Sequence, residues 1–443
     1  MVSTATHPGG QHQLQSRRFR LDLRTTPARM RLLLAVLVLT NVAWGALAAF
    51  TASQYASAAS AVVTTREPLS LDALQIYRRL SDANDAATTA FLTGGLEPAA
   101  VRQRYLADIT AAAAGVEDAT ALGGAGQGAT ADDLGTLPTG IPISAGEIET
   151  ARADNRLGLP LGAAYLREAS ALMRGTLLPA AQSLYDAEYA SLGATGAQAT
   201  GLPLITITAA AGVGLGYGLY RASRWLSRRT RRVFNLGFLA AALALVISLG
   251  WLAFAYANGR SSLLTAQARG STPVAALARV DIAVQRAHAD ESLTLIDNSG
   301  DDSYQQDYLG LQRSLGPGAG TLLTDAQQAT AGSKAAPAVT AMVADARGWY
   351  QAHASLRVLD DTGKHADAVQ SALGTAPGNA GTWFGQLTGN LATGIAVDQA
   401  AFDSSARAGS SAFNDTEAGV IAAALIMAAA CAWGLSRRIV EYR

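Results

Sequence analysis

Four uninterrupted apolar runs punctuate the chain: Leu32–Phe50, Leu202–Tyr220, Val233–Tyr256 and Ala418–Leu435. None of them holds an Asp, Glu, Lys or Arg. At about 1.5 Å of rise per helical residue, each is long enough to cross a hydrocarbon core of roughly 30 Å. Two long segments lie between them and follow a different rule. In the first, Ile76, Leu80, Ala83, Ala87 and Phe91 recur at helical spacing until Thr93-Gly94-Gly95 stops them. Pro98 suits the start of a second helix, Ala99–Leu122. The stretch Gly123–Gly146, with Pro138 and Pro142, reads as an exposed loop, and Ala145–Leu157 as a short third helix. A fourth opens at Pro160 with a near-heptad seam of Leu166, Met173, Ala180 and Ala187, interleaved with Ser170, Leu177, Leu184 and Ser191. Pro179 is expected to kink it, while Pro68 bends the first helix or begins a new one.

The second long segment repeats the first at an offset of 204: Ile76 matches Val280, Leu80 Val284, Ala83 Ala287, Phe91 Leu295 and Leu92 Ile296. Glu291 continues the same spacing, and Pro273 answers Pro68. The turn Asp297-Asn298-Ser299-Gly300 answers Thr93-Gly94-Gly95, and Tyr308-Leu309 answers Tyr105-Leu106. Leu226-Ser-Arg-Arg229 and Leu435-Ser-Arg-Arg438 close the second and fourth runs alike. The shared order of these matches predicts an internal duplication. Further helices are expected over Asp301–Leu315 and Ala335–Asp360, the latter with Trp349 and Tyr350 for the core. After Pro377-Gly378 a last helix carries Phe384, Leu387, Leu391, Asp398 and Phe402 towards the fourth run.

Charge sets the topology. The 34 basic and 34 acidic residues cancel, but they are segregated. Residues 1–31, 221–232 and 436–443 hold fifteen bases against two acids, which leaves nineteen bases and thirty-two acids for the long segments. Arg221, Arg224, Arg228, Arg229, Arg231 and Arg232 crowd the central loop with no acid among them, and Arg437 and Arg438 follow the fourth run. The positive-inside rule then puts both termini and the loop in the cytoplasm. The expected organisation is a basic tail (1–31), a first span (32–50), an outer bundle (51–201), a second span (202–220), the arginine loop (221–232), a third span (233–256), a second outer bundle (257–417), a fourth span (418–435) and a short tail (436–443). The fold class is therefore all-α: an integral membrane protein with four transmembrane helices and two tandem extracytoplasmic helical bundles. The first run is expected to stay as an uncleaved anchor in the plasma (inner) membrane.

Candidate chemistry is sparse. No helical pair of histidines, glycine-rich phosphate loop or cofactor signature occurs, so neither an enzyme nor a metal or cofactor site is expected. His288, His353 and His365 are expected to be solvated, and the pairs Asp132/Asp133, Glu147/Glu149, Asp301/Asp302 and Asp360/Asp361 to cap helices or solubilise loops. Arg78-Arg79 is a possible anion contact, weighed against a solvated face beside Asp82. An acidic exterior argues against nucleic acid, and spans without ionisable groups argue against a transport path. The lone cysteine, Cys431, lies in the fourth run, so no disulfide forms within the chain. Gly212/Gly216 and Gly214/Gly218 are small-xxx-small pairs suited to close helix packing in lipid, and Asn41 to a bond between helices. The arginines of the loop and tail are candidates for contact with anionic membrane lipid or a cytoplasmic partner.

Membrane helix, acidic helical segment, membrane helix, twice over, resembles tandem chemoreceptor-type sensor domains. Four crossings and an Ala/Arg-rich composition are similar to one actinobacterial family, the GlnX-type membrane component of an amino-acid-sensing system. That resemblance covers roughly residues 30–443. It implies an extracytoplasmic solute-binding lipoprotein that recognises aspartate or glutamate, a cytoplasmic serine/threonine kinase of the G type, and a relay by helix displacement. It carries no ligand-contact residue onto this sequence. The rival readings are a scaffold or accessory subunit of a cell-envelope complex, and a sensor whose bundles bind a small ligand directly. A homodimer is possible, although a duplicated chain can supply both halves of such a pair itself.

Overall fold

The computed structural model describes residues 26–93, 97–122, 129–230, 235–296 and 302–440. All the described secondary structure is helical, and the helices sort into two compact units. The first unit comprises the described residues up to Phe50, Ile205–Leu252 and those from Glu417 on. The second comprises Thr51–Leu204 and Ala253–Thr416.

The first unit contains the apolar parts of α1 (Thr26–Ala61), α7 (Pro203–Thr230), α8 (Leu236–Ala266) and α15 (Thr416–Val440). Four helices are long and apolar enough to cross a membrane. They form a ring through specific contacts. Trp44 Nε1 donates to the Thr208 carbonyl at 3.2 Å, joining α1 to α7. Asn235 Nδ2 donates to the Gly434 carbonyl at 3.2 Å, joining the start of α8 to α15. Asn41 is fully buried; its Nδ2 bonds the Leu37 carbonyl at 2.7 Å and lies 3.8 Å from Cys431 Sγ on α15. Leu39, Val213, Leu243 and Leu425 face outward, as lipid contact requires.

In the second unit α2 (Glu67–Leu92), α3 (Ala99–Ala121), α4 (Ala129–Arg156), α5 (Leu161–Leu172) and α6 (Leu178–Thr200) pack together. A π turn, Met173–Leu177, splices α5 to α6. Their core is formed by residues such as Leu80, Leu137, Leu177 and Leu184, all fully buried. The other half contains α9 (Thr272–Ile296), α10 (Ser303–Leu315), α11 (Leu322–Ala329), α12 (Ala336–Asp361), α13 (His365–Leu373) and α14 (Ala380–Ser411) around Leu277, Met342, Trp349, Leu387 and Leu391. The two halves meet where α2 packs on α9.

Three prolines share one device. Pro68, Pro179 and Pro273 each follow a five-residue π turn by two positions: Val62–Arg66, Met173–Leu177 and Gln267–Ser271. Proline removes the donor that would bond the carbonyl four residues back. That carbonyl falls inside the wider turn in all three cases, so the helix passes the proline unbroken. The chain stays helical through all three, so no new helix has to start at Pro68.

Several expectations are corrected. The stretch read as a loop before residue 146 is helical from Ala129, and the short third helix is the end of α4. Pro138 and Pro142 sit inside that helix. Leu134, Leu137, Ile141, Ile148 and Ala151 are buried on one face, and their burial outweighs the local penalty of the prolines. Gly123–Gly128 lie outside the described residues. The arginine stretch is not a loop up to Thr230: α7 continues through it. It has no Gly or Pro to stop a helix, and basic residues suit a helix C-terminus. The helices α11 and α13 were not anticipated, since both are shorter than three turns. The approach to the fourth run is interrupted at residues 412–415, where Asp415 takes a left-handed conformation (φ 61°). The seam of the fourth helix drifts: Leu166, Ser170, Met173, Leu177, Ala180 and Leu184 are buried, but beyond them Tyr185, Glu188 and Leu192 take over from Ala187 and Ser191.

Candidate functional site

The odd and even spans leave the first unit differently. From residue 26 to 92, and from 236 to 296, the chain is helical without interruption. Before the second span the helix breaks at Gly201-Leu202, where Gly201 is extended (φ −66°, ψ 144°), and before the fourth it breaks at 412–415. The helix break at Gly201 frees the carbonyls of Thr200 and Gly201, and side chains from the continuous helices take them. Tyr55 Oη donates to the Gly201 carbonyl at 2.6 Å, and Tyr256 Oη lies 2.9 Å from both carbonyls. Arg260 Nε donates to the Thr200 carbonyl at 3.2 Å. Tyr55 also stacks on Phe413, with ring centroids 6.2 Å apart. This cluster joins the continuous helices to both breaks.

Farther along α2 and α9 the interface between the halves is charged. Arg78 Nε lies 2.7 Å from Asp281 Oδ2, and Asp281 is fully buried. Beside them Tyr77 Oη donates to the Ile282 carbonyl at 3.4 Å. His288 Nδ1 lies 2.8 Å from Asp85 Oδ1, and the His288 ring stacks on Phe384 at 3.6 Å. Arg174 reaches Asp290 at 2.7 Å and Asp307 at 3.4 Å. Burial pushes the Asp281 carboxyl up to about 6, with Arg78 opposing and Asp82 adding. Burial likewise lifts Asp290 to about 7 against the pull of Arg174. For His288, burial favours the neutral ring, but Asp85 outweighs it and the net shift is upward. The partner carboxyl is lowered: burial of Asp85 is overcome by His288 and Arg104.

Of His288, His353 and His365, the first two are therefore buried rather than solvated. Besides His288, His353 is buried, with Nδ1 2.6 Å from Glu291 Oε2 and Nε2 3.2 Å from Gln305 Oε1. His365 is exposed but lies 2.8 Å from Asp360. Arg78 and Arg79 are not a free anion contact either; Arg79 bonds Asp108 at 2.9 Å. Of the acidic pairs, Glu147 and Glu149 lie within α4 rather than at its start. Asp360 and Asp361 close α12 and bond Arg357 at 2.7 Å each. Asp302 occupies the N-cap position of α10 and Asp132 the first turn of α4. Asp301 and the Asp133 side chain lie outside the described residues. Sequence offered no signal for these buried pairs, because the partners are separated by as many as 203 residues.

Arg221, Arg224 and Arg228 are exposed on the last turns of α7, and Arg224 donates to Tyr220 Oη at 3.1 Å. The Arg437 guanidinium sits 4.8 Å from the Trp433 ring. The side chains of Arg229 and Arg438, and the whole of Arg231 and Arg232, lie outside the described residues. Gly212 faces Leu249 and Trp44, where an added Cβ would lie 2.9 Å from each, and Gly216 faces Leu245 at 3.5 Å. Gly214 and Gly218 meet nothing within 4 Å. Closer approaches occur at glycines outside these pairs: a Cβ on Gly237 would overlap the Ala430 carbonyl, and one on Gly45 the Ala424 methyl. Gly237→Val is expected to force α8 from α15 and cost about 1–3 kcal/mol. Gly214→Val is expected to change stability by less than about 0.5 kcal/mol. Thermal melts of the two variants in detergent check the contrast, and equal midpoints would contradict it.

Among the described residues no group of three or more His, Cys, Asp or Glu is placed to hold a metal ion. A family model described as an actinobacterial sensor domain matches residues 58–197, from the end of α1 to the end of α6. No curated protein and no solved structure matches the chain. The chain is thus an all-α, membrane-associated protein, with an actinobacterial sensor domain matched over residues 58–197. The sensor-domain match accords with a non-enzymatic role.

Proposed function

We propose that the protein relays an extracytoplasmic signal across the plasma membrane by shifting its second and fourth spans against its first and third. The observation that carries this reading is the alternation of unbroken and broken helices. The first and third spans continue without interruption into α2 and α9, whereas both breaks fall beside the second and fourth. A rearrangement at the α2–α9 interface has a continuous helical path in the former and a joint in the latter. Shifts of packed helices are an established means of switching.

Internal duplication is supported by the contacts themselves. At the offset of 204, the pair Arg78–Asp281 maps onto Tyr77–Ile282, and both pairs are in contact. Such reciprocity is the mark of an isologous interface. The π turns before Pro68 and Pro273 repeat at an offset of 205. On this reading one chain supplies both halves of a two-fold pair.

In this proposal the input is a solute-binding lipoprotein loaded with aspartate or glutamate. The output is a cytoplasmic serine/threonine kinase that reads the surface of Arg221, Arg224, Arg228, Arg229, Arg231, Arg232, Arg437 and Arg438. These partners come from the family resemblance alone. Co-purification from native membranes, with partners identified by mass, tests them. Recovery of a lipoprotein and a kinase is expected, whereas recovery of secretion or wall-synthesis proteins alone would favour a scaffold. Changing Arg221, Arg224, Arg228 and Arg231 to Gln is expected to abolish signalling while preserving insertion. Normal signalling would rule out docking at that surface.

A further inference from the structure

We infer that a cavity at the far end of the first outer half is a binding site for a small carboxylate with a short apolar body. The cavity holds about 230 Å³ and lies among the last turns of α2, the first of α3, the last of α4 and the side of α5. Its apolar wall is Ala87, Ala90, Phe91 and Leu166. Its polar wall is Arg102, Arg152, Arg156, Asn155 and Glu97; with Glu149, which bonds Arg102 at 3.2 Å and Arg152 at 2.6 Å, three guanidinium groups stand against two carboxylates.

Three independent features favour an anion there. Arg152 is 93% buried; it bonds Glu97 at 3.0 Å and Glu149 at 2.6 Å, and stacks 4.3 Å from the Tyr105 ring centre. Its buried Nε nevertheless has no hydrogen-bond partner among the described residues. Arg156 is exposed and makes no ion pair among the described residues, where its Nε donates to the Arg152 carbonyl at 3.4 Å. Finally, the N-terminus of α3 opens at the cavity through Ala99, and Pro98 in the cap position supplies no side-chain acceptor. Unpaired amides and the positive end of the helix dipole favour negative charge. Guanidinium groups bind a carboxylate through paired parallel bonds. The volume falls below the roughly 300–1,000 Å³ of pockets for drug-sized molecules, which limits the ligand to a few heavy atoms.

The site deepens the sensor reading and rests on it only for consequence. Ala87 and Ala90 lie on α2 within two turns of Asp85, which pairs with His288 across the halves. A ligand that moves the end of α2 therefore acts beside that interface.

The test uses the full chain in detergent, titrated calorimetrically with acetate, propionate, pyruvate and L-alanine. Acetamide, propionamide and inorganic phosphate serve as controls. At least one carboxylate is expected to bind, its amide is not, and Arg156→Gln is expected to weaken binding about tenfold without moving the ligand-free melting midpoint. Binding of no carboxylate, equal binding of an amide, binding of phosphate alone, or affinity unchanged in both Arg156→Gln and Arg102→Gln would each overturn the site. Spin labels on α7 and α8 read the relay separately. Binding without a distance change counts against the proposed function and leaves the site standing. A distance change driven by a partner, with no carboxylate bound, does the reverse.

Discussion

Trp349→Ala is expected to lose about 3–5 kcal/mol, the usual cost of removing a large aromatic from a core. Trp349 is fully buried on α12, edge-on to Tyr308 at 5.6 Å and tilted against Phe384 at 5.7 Å. Its Nε1 donates to Glu291 Oε1 at 3.4 Å, while His353 holds the other carboxylate oxygen. Truncation opens a cavity and leaves one buried carboxylate oxygen without its donor, so two penalties add. Trp349→Phe keeps most of the ring volume but not the N–H, and is expected to cost about 1–3 kcal/mol. Chemical denaturation of both variants in detergent checks the order. A smaller loss for Ala than for Phe would mean that Trp349 does not hold the core of the second half.

Acidification from pH 8 to 5.5 is expected to stabilise the second unit, contrary to the common behaviour of proteins rich in surface ion pairs. Glu67 is raised to about 8 by burial and by Asp403, Asp290 to about 7 and Asp281 to about 6. In the unfolded chain these carboxyls lose their protons near pH 4. Between that pH and their folded values the native state holds protons that the unfolded state lacks. Stability therefore falls as pH rises through this window and returns as pH drops. His288 has the same sign: its raised value contributes stability that is complete below about 6.5 and lost as pH rises through the folded value. Asp85 is lowered and works the other way, but only below pH 4 or so, outside the range tested. Partial screening tempers the sum to about 2–4 kcal/mol, read as a rise of several degrees in the melting midpoint. Asp290→Asn is expected to flatten the profile near pH 7. A midpoint that falls steadily from pH 8 to 5.5 would refute the assignment.

The elements most legible in the sequence were those in which a single period dominates. The apolar runs announced the spans by length alone, and Ile76, Leu80, Ala83 and Ala87 announced the buried face of α2. For α4 the signal was present but masked. Leu134, Leu137, Ile141 and Ile148 keep helical spacing, yet Pro138, Pro142 and the surrounding glycines read as punctuation. A proline rule is local, whereas the burial that overrides it is not. The π turns were illegible for a related reason, since nothing in Val62–Arg66 marks a widened turn except the proline that follows. The buried polar partners of His288 and His353 needed three dimensions, because Asp85 and Glu291 lie on separate helices far away in sequence. The cavity beside Arg152 was hidden likewise, its walls coming from four helices.

One consequence follows from the extension of α7 through Thr230. Only residues 231–235 separate it from α8, which begins at Leu236. Fully stretched, five residues reach about 18 Å, and helices in contact already stand about 8–10 Å apart. Beside a neighbour at that distance, a connection of that reach bounds axial travel of the second span past the third only at about 15–16 Å, far beyond the roughly 1–2 Å shifts by which packed helices switch. The short connection to the third span therefore opposes neither a sliding nor a tilting movement of the second in the proposed relay.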